Sequence, residues 1–169
     1  MRLLVAAIGR LKQGPERDLA ARYRERAAAL GRGLGFAACD AIEMPESRAR
    51  RASDRCAEEA GAILSHLPTN GVLLAYDERG RSDLPSERLA ERVGAWRDSG
   101  RPVLVVAIGG ADGLDESVRN RADLTLSFGA ATLPHGLVRV LAFEQLYRSL
   151  TILAGHPYHR GDPGGQQPA

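Results

Sequence analysis

The densest run of chemically able side chains in this sequence is GHPYHR, residues 155–160, where His156, Tyr158, His159 and Arg160 stand almost side by side. Imidazoles titrate near neutral pH and can move protons. A phenol offers a ring to stack and a hydroxyl to bond. A guanidinium holds phosphate or steadies an anion with a planar set of donors. One histidine near a helix end can simply complement the helix dipole. Two histidines, a tyrosine and an arginine exceed that need, and chain ends usually carry little. The segment therefore asks for a function.

Three other stretches could bind a ligand: YDERGR (76–81), IGGADG (108–113) and SFGAATLPHG (127–136). Gly109 and Gly110 let a backbone approach a ligand closely, although two glycines after a strand more often make a tight turn. Neither the dinucleotide pattern G-x-G-x-x-G nor a phosphate loop ending in Gly-Lys-Ser/Thr is present. SFGAATLPHG is small and uncharged before His135, which suits a flat, neutral purine with a compact polar tail. Its plainer reading is a strand-to-helix connection capped by Thr132 or His135, with Pro134 holding Leu133 extended.

The elements that must position these stretches follow from periodicity. Short apolar runs predict strands at 2–8, 36–44, 71–76, 102–108 and 124–127. Helical spacing predicts helices from Pro15 to the glycines at 31 and 33, over 47–67, from Pro85 to Gly100, over 115–122 and over 136–154. The core stripe of the first helix reads as Leu19, Tyr23, Ala27 and Leu30. Strands alternating with helices give an α/β fold, with a mostly parallel sheet flanked by helices. Ligands then bind outside the carboxyl ends of the strands, where the three stretches fall. The last helix, LVRVLAFEQLYRSLTILA, is apolar on nearly every side and needs cover from its sheet and from something else. A second subunit paired about a twofold axis would supply it.

With 169 residues, 44% hydrophobic and 26% charged, the chain fits one folded domain over residues 1–160, followed by a Gly/Pro/Gln-rich tail, 161–169, expected to be disordered. No apolar run approaches a membrane span, and MRLLVAAIGR reads as a first strand rather than a signal peptide. Cys39 and Cys56 form no metal-spaced cluster and suggest reduced thiols in a cytoplasmic protein. Lys12 is the only lysine among 23 basic residues, a bias that codon usage alone would explain. The net charge of +2 argues against coating nucleic acid by charge alone, though not against a local basic patch.

The sequences IGGADG, LSFGAATLPHGLVRVLAFEQLYR and HPYHR, together with the opening MRLLVAAIGRLK, resemble the RlmH family from residue 1 to about 160. The resemblance implies a SPOUT methyltransferase with a deep trefoil knot in its C-terminal part. It implies a homodimer that uses S-adenosylmethionine to methylate N3 of one pseudouridine in large-subunit (23S) ribosomal RNA, on the assembled ribosome. The cofactor site would comprise Tyr76, Gly109 and the loop Phe128, Gly129, Ala130, Ala131, Thr132 and Leu133. Tyr76 stands where the family often has Leu, so its contact would run through the backbone. Ala111 stands where Pro or Ser is common, and the tail after Arg160 is a departure.

The implied substrate sets the chemistry. N3 is an imino nitrogen that must lose its proton before it attacks, so a base or an anion-stabilising cation is needed. His156 and His159 are candidates for the base, Arg160 for the anion or a phosphate, and Tyr158 for stacking; water also remains a candidate proton acceptor. These four would form an RNA-facing wall, supplied across the dimer. Arginines 22, 24 and 26, and 48, 50, 51 and 55, are further RNA-docking candidates, although such runs are more often solvated faces. Two other readings stand beside this one. A non-catalytic ribosome-binding factor would not require the cofactor. A small nucleotide- or flavin-binding enzyme would want a phosphate loop at GRLKQGP, where Gly9 and Gly14 make a weak case.

Overall fold

The structure, a computed structural model, describes residues 1–159, and His159 by its backbone alone. Arg160 and the tail 161–169 lie outside the described residues. Five strands, β1 (Arg2–Ile8), β2 (Ala38–Met44), β3 (Val72–Arg81), β4 (Val103–Ile108) and β5 (Leu124–Leu126), form one parallel sheet in the order β2-β1-β4-β3-β5. Between and after them run α1 (Pro15–Arg32), α2 (Ala52–Leu64), α3 (Ser86–Asp98), α4 (Glu116–Arg121) and α5 (His135–Leu153). A 3₁₀ turn, Pro157–His159, follows α5.

The central strands are apolar end to end because both faces are covered. Side chains alternate across the pleat. Leu3, Val5, Leu104, Val106 and Ile108 join one core with residues of α1, α3 and α5. Leu4, Ala6, Ile8, Val105 and Ala107 join the other, with residues of α2 and α4.

The expected stripe of α1 holds at Tyr23, Ala27 and Leu30, which pack on the core, and fails at Leu19. Leu19 is 36% exposed, while Ala20, Ala27 and Gly31 are buried. The reason is close helix packing. A Cβ on Gly31 would lie 3.4 Å from Leu150 of α5 and 3.1 Å from Phe36, so only small residues fit that face. The apolar girth of α5 has its cover within the same chain: the sheet beneath, α1 on one side and α3 on the other.

Two elements differ in length from the sequence reading. The helix expected over 47–67 starts only at Ala52. Ser47 is tied to the helix's own carboxylates, its N–H donating to Glu59 Oε1 at 3.0 Å and its hydroxyl to Glu58, which holds the preceding residues off the helix axis. Conversely β3 runs past Tyr76 to Arg81. Tyr76 and Arg81 both pair with Leu126, so residues 77–80 bulge out between them. Gly80 makes this possible: a Cβ there would lie 2.4 Å from the Leu126 carbonyl carbon, so backbone rides directly on backbone.

Candidate active site

The carboxyl ends of β3, β4 and β5 open onto a cavity of about 1010 Å³. Its walls are the bulge of β3 (Tyr76, Asp77, Glu78, Arg79), the loop after β4 (Gly109–Leu114) and the loop after β5 (Ser127–Leu133). Every residue expected to touch a cofactor (Tyr76, Gly109 and Phe128 to Leu133) lies on this one surface.

Each wall is fixed by a physical device. Tyr76 and Phe128 stack, with ring centroids 4.5 Å apart and planes 12° from parallel, locking the β3 bulge to the β5 loop. Burial pushes the Tyr76 phenol well above its ordinary range, so it stays neutral. The β4 loop is tight because Gly109 faces the backbone of Gly113 and Leu114, leaving no room for a side chain. Gly110 abuts the Glu59 carboxylate, and its carbonyl accepts from His135 Nε2 at 3.1 Å. That bond places the proton of a neutral His135 ring on Nε2. It also shows what His135 does: it ties α5 to the β4 loop rather than capping the helix, whose N-cap is Pro134 without a side-chain bond.

Helix α2 braces the same loop from outside. Arg55 Nε lies 2.7 Å from Asp112 Oδ2, and the guanidinium also donates to the carbonyls of Ala49 and Arg50. The hydrogen bond from Arg55 holds the Asp112 carboxyl below the usual carboxylate range. Arg55 is thus engaged at this cavity, although its sequence context reads as part of an RNA-facing run. The Cys56 thiol points at the Asp112 carbonyl 3.7 Å away, and burial raises its pKa, which keeps it protonated. Cys39 is buried and pushed up to about 12. Arg119 reaches Asp77 at 3.4 Å and donates to the Leu114 carbonyl, joining α4 to both loops.

The charged lining is lopsided. Five carboxylates (Asp77, Glu78, Asp112, Asp115, Glu116) face two guanidiniums of the lining, Arg79 and Arg119, and a third, Arg55, which pairs with Asp112 from outside it. A cavity of this sign favours a cationic ligand and disfavours phosphate. Among the described residues no His/Cys/Asp/Glu group could hold a metal ion.

The terminal segment is elsewhere. Neither His156 nor Tyr158 lines the cavity. Tyr158 folds back against α1 and α5, its ring 4.9 Å from that of Tyr147 and beneath the Arg148 guanidinium. Its hydroxyl lies 3.2 Å from Glu144 Oε1. The Glu144 carboxylate also acts on the Tyr76 phenol, helping burial to raise its pKa, so the terminal segment and the cavity wall stand on either side of one carboxylate. His156 is exposed, and its Nδ1 accepts from the Tyr158 N–H at 3.2 Å. His159 is described by its backbone alone, and Arg160 lies outside the described residues.

Sequence reasoning missed several buried charges. Arg139 donates from Nη2 to the carbonyls of Ile8 (2.6 Å) and Gly9 (2.8 Å) and from Nη1 to Glu43 (2.8 Å), pinning the ends of β1 and β2 beneath the site. Burial lowers its pKa against the pull of Glu43. Its Nε is buried without a partner. The signal was present: Arg139 and Glu144 interrupt an otherwise apolar helix, and such charges are retained only where they are bonded.

The comparison with known proteins comes to the same region of function. Residues 1–159 match the family described as "Predicted SPOUT methyltransferase". A "Ribosomal RNA large subunit methyltransferase H" of Methylobacterium radiotolerans is 76% identical over 164 residues, covering 97% of this chain and all of that protein. Its counterpart in Methylorubrum extorquens is 74% identical, covering 96% of this chain and 99% of that protein. One from a Bradyrhizobium species is 59% identical, covering 95% and 99%.

Proposed function

This chain belongs to the predicted SPOUT methyltransferases, and within them to the ribosomal RNA large subunit methyltransferases H, and we propose on that footing that it methylates N3 of a pseudouridine in large-subunit ribosomal RNA, with S-adenosylmethionine as donor. The observation that carries the cofactor is the cavity's acidic excess, five carboxylates against three guanidiniums with Arg55 counted, beside a β4 loop so tight that a Cβ at Gly109 would strike its own backbone. S-adenosylmethionine carries a sulfonium and an ammonium, which such a lining suits. The phosphates of a dinucleotide or flavin would meet repulsion there, which counts against the nucleotide-binding alternative.

Tyr76, Gly109 and the loop from Phe128 to Leu133 would hold the cofactor. When bound, it supplies a methyl group made electrophilic by the adjacent sulfonium. The chain's own contribution is alignment. The Tyr76–Phe128 stack and the His135–Gly110 bond fix the loops that surround the ligand. Asp77, held by the Arg79 amide and by Arg119, adds fixed negative charge to that lining.

The acceptor side is the terminal segment, reached across a homodimer. The absence of His156 and Tyr158 from the cavity lining of their own chain supports supply from a second copy. So do Leu19 and Leu137, which stay 36% and 41% exposed on the adjoining helices α1 and α5. His156 accepts the Tyr158 N–H at Nδ1, which leaves Nε2 to carry the ring proton as a donor to RNA rather than a base. Proton acceptance then falls to His159 or water, with Arg160 steadying the anion. The trefoil knot is part of the same reading and rests on membership of the SPOUT family. No helix among the described residues is long and apolar enough to cross a membrane, and an enzyme acting on assembled ribosomes works in the cytoplasm.

The decisive experiment pairs calorimetric titration with S-adenosylmethionine and transfer of labelled methyl to unmethylated ribosomes. Binding and transfer are both expected. Ribosome binding without cofactor binding would sink this reading in favour of a non-catalytic ribosome-binding factor. Truncation before His156 should abolish transfer while cofactor binding persists.

A further inference from the structure

We propose that Glu144 and Tyr158 form a latch that holds the terminal segment in one orientation on α5, and that both are positioning residues for methyl transfer. The second half rests on the proposed function, in which that segment faces the RNA. A carboxylate in the middle of an apolar helix is costly unless its lone pairs are used. Glu144 is 8% exposed and spends them fully. Oε1 accepts from Arg148 Nε at 2.9 Å and Nη2 at 2.5 Å, and from the Tyr158 hydroxyl at 3.2 Å. Oε2 accepts from the Gln145 amide at 2.7 Å.

Tyr158 is gripped on every side by this arrangement. The Tyr147 ring meets it at 60°, the Arg148 guanidinium covers it 5.2 Å from the centroid, and the Tyr23 hydroxyl of α1 stands 3.4 Å from its own. Burial and the bond to Tyr23 keep its phenol protonated. So held, the ring is already engaged by its own chain, whereas its sequence context suggests stacking on a base. Its value is mechanical. It anchors one residue of a short turn whose neighbours His156 and His159 then leave α5 in fixed directions. Its own N–H fixes the His156 ring through Nδ1. Arg148 serves twice, pairing with Glu144 and roofing Tyr158, so loss of the carboxylate loosens both the bond and the roof.

The full-length chain with Glu144→Gln, Tyr158→Phe or Tyr158→Ala provides the test. Three quantities are measured: hydrogen exchange at the amides of His156, Tyr158 and His159, cofactor affinity, and kcat and KM on unmethylated ribosomes. Tyr158→Phe keeps the ring and loses only the hydroxyl. It and Glu144→Gln should speed terminal exchange about tenfold, the scale of one hydrogen bond to a charged group. They should lower kcat by a similar factor, with cofactor affinity unchanged and the urea midpoint lowered by no more than that one hydrogen bond accounts for. Tyr158→Ala should exceed both. Terminal exchange like wild type in Glu144→Gln and Tyr158→Phe would overturn the latch. Faster exchange with unaltered kcat would overturn the positioning role. If the unmodified chain transfers no methyl, the proposed function fails, and the exchange data still decide the latch.

Discussion

Replacing Gly109 by alanine probes the cavity through a single methyl group. The new Cβ would sit 2.7 Å from both the carbonyl carbon and oxygen of Gly113 and 3.0 Å from the Leu114 nitrogen. Ordinary contact begins at 3.4 Å, so the loop must retreat by about 0.7 Å to reach native packing. All three neighbours are backbone atoms, so no side chain can swing away. Gly109 does not have positive φ, and alanine brings no backbone strain of its own. The cost is therefore steric, about 1–3 kcal/mol for overpacking. The loop relieves it by moving into the cavity. The fold then survives and the ligand bears the loss, about 5- to 150-fold weaker binding. Calorimetry with S-adenosylmethionine measures the effect, and urea unfolding checks the fold. Gly61→Ala is the control: it lies in α2 with no atom within 4 Å of the added Cβ. It should leave binding unchanged and raise stability by about 0.5–1 kcal/mol. A folded Gly109→Ala variant with wild-type affinity would refute the assignment of this loop to the ligand.

Three further outcomes follow from the same contacts. Arg139→Met takes the guanidinium from two strand-end carbonyls and from Glu43, and should cost about 3 kcal/mol in urea unfolding, moderated because Glu43 keeps the Leu11 N–H and can reach water. Asp115 caps α4, and hydrogen bonds from Ser117 hold its carboxyl below its ordinary value. Its stabilisation is thus present above the unfolded pKa and lost as pH falls through the folded one. The urea midpoint of wild type should accordingly drop more between pH 5 and pH 3 than that of Asp115→Asn. Sedimentation at micromolar concentration should give twice the 18.1 kDa monomer mass, and an active monomer would exclude supply of the terminus from a second copy.

The sequence carried the α/β alternation because apolar strand cores such as PVLVVAI admit few other readings. It carried the cofactor loops because their glycines and small residues stand at strand ends, and here the resemblance did most of the work. What it hid were long-range pairings. Nothing local in YDERGR says that Gly80 lies on Leu126, or that β3 continues through charged residues. Nothing near Leu19 says that α1 turns its small residues inward, since that depends on how closely α5 approaches. Tyr158 illustrates the same limit: its residue type suggests stacking on a base, and its packing assigns it to Glu144 and Tyr147.

The seating of α5 between α1 and α3 has a consequence for the newborn chain. Helix α1 is complete at Arg32, but the partner that covers its small-residue face begins only at His135. At 5–20 residues per second, translation of the intervening segment takes about 5–20 s. For that interval the α1 face, and the sheet surface that α5 will occupy, lack their cover, and trigger-type chaperones or a neighbouring nascent chain can bind them. The last helix to leave the exit tunnel must slot between two helices already made.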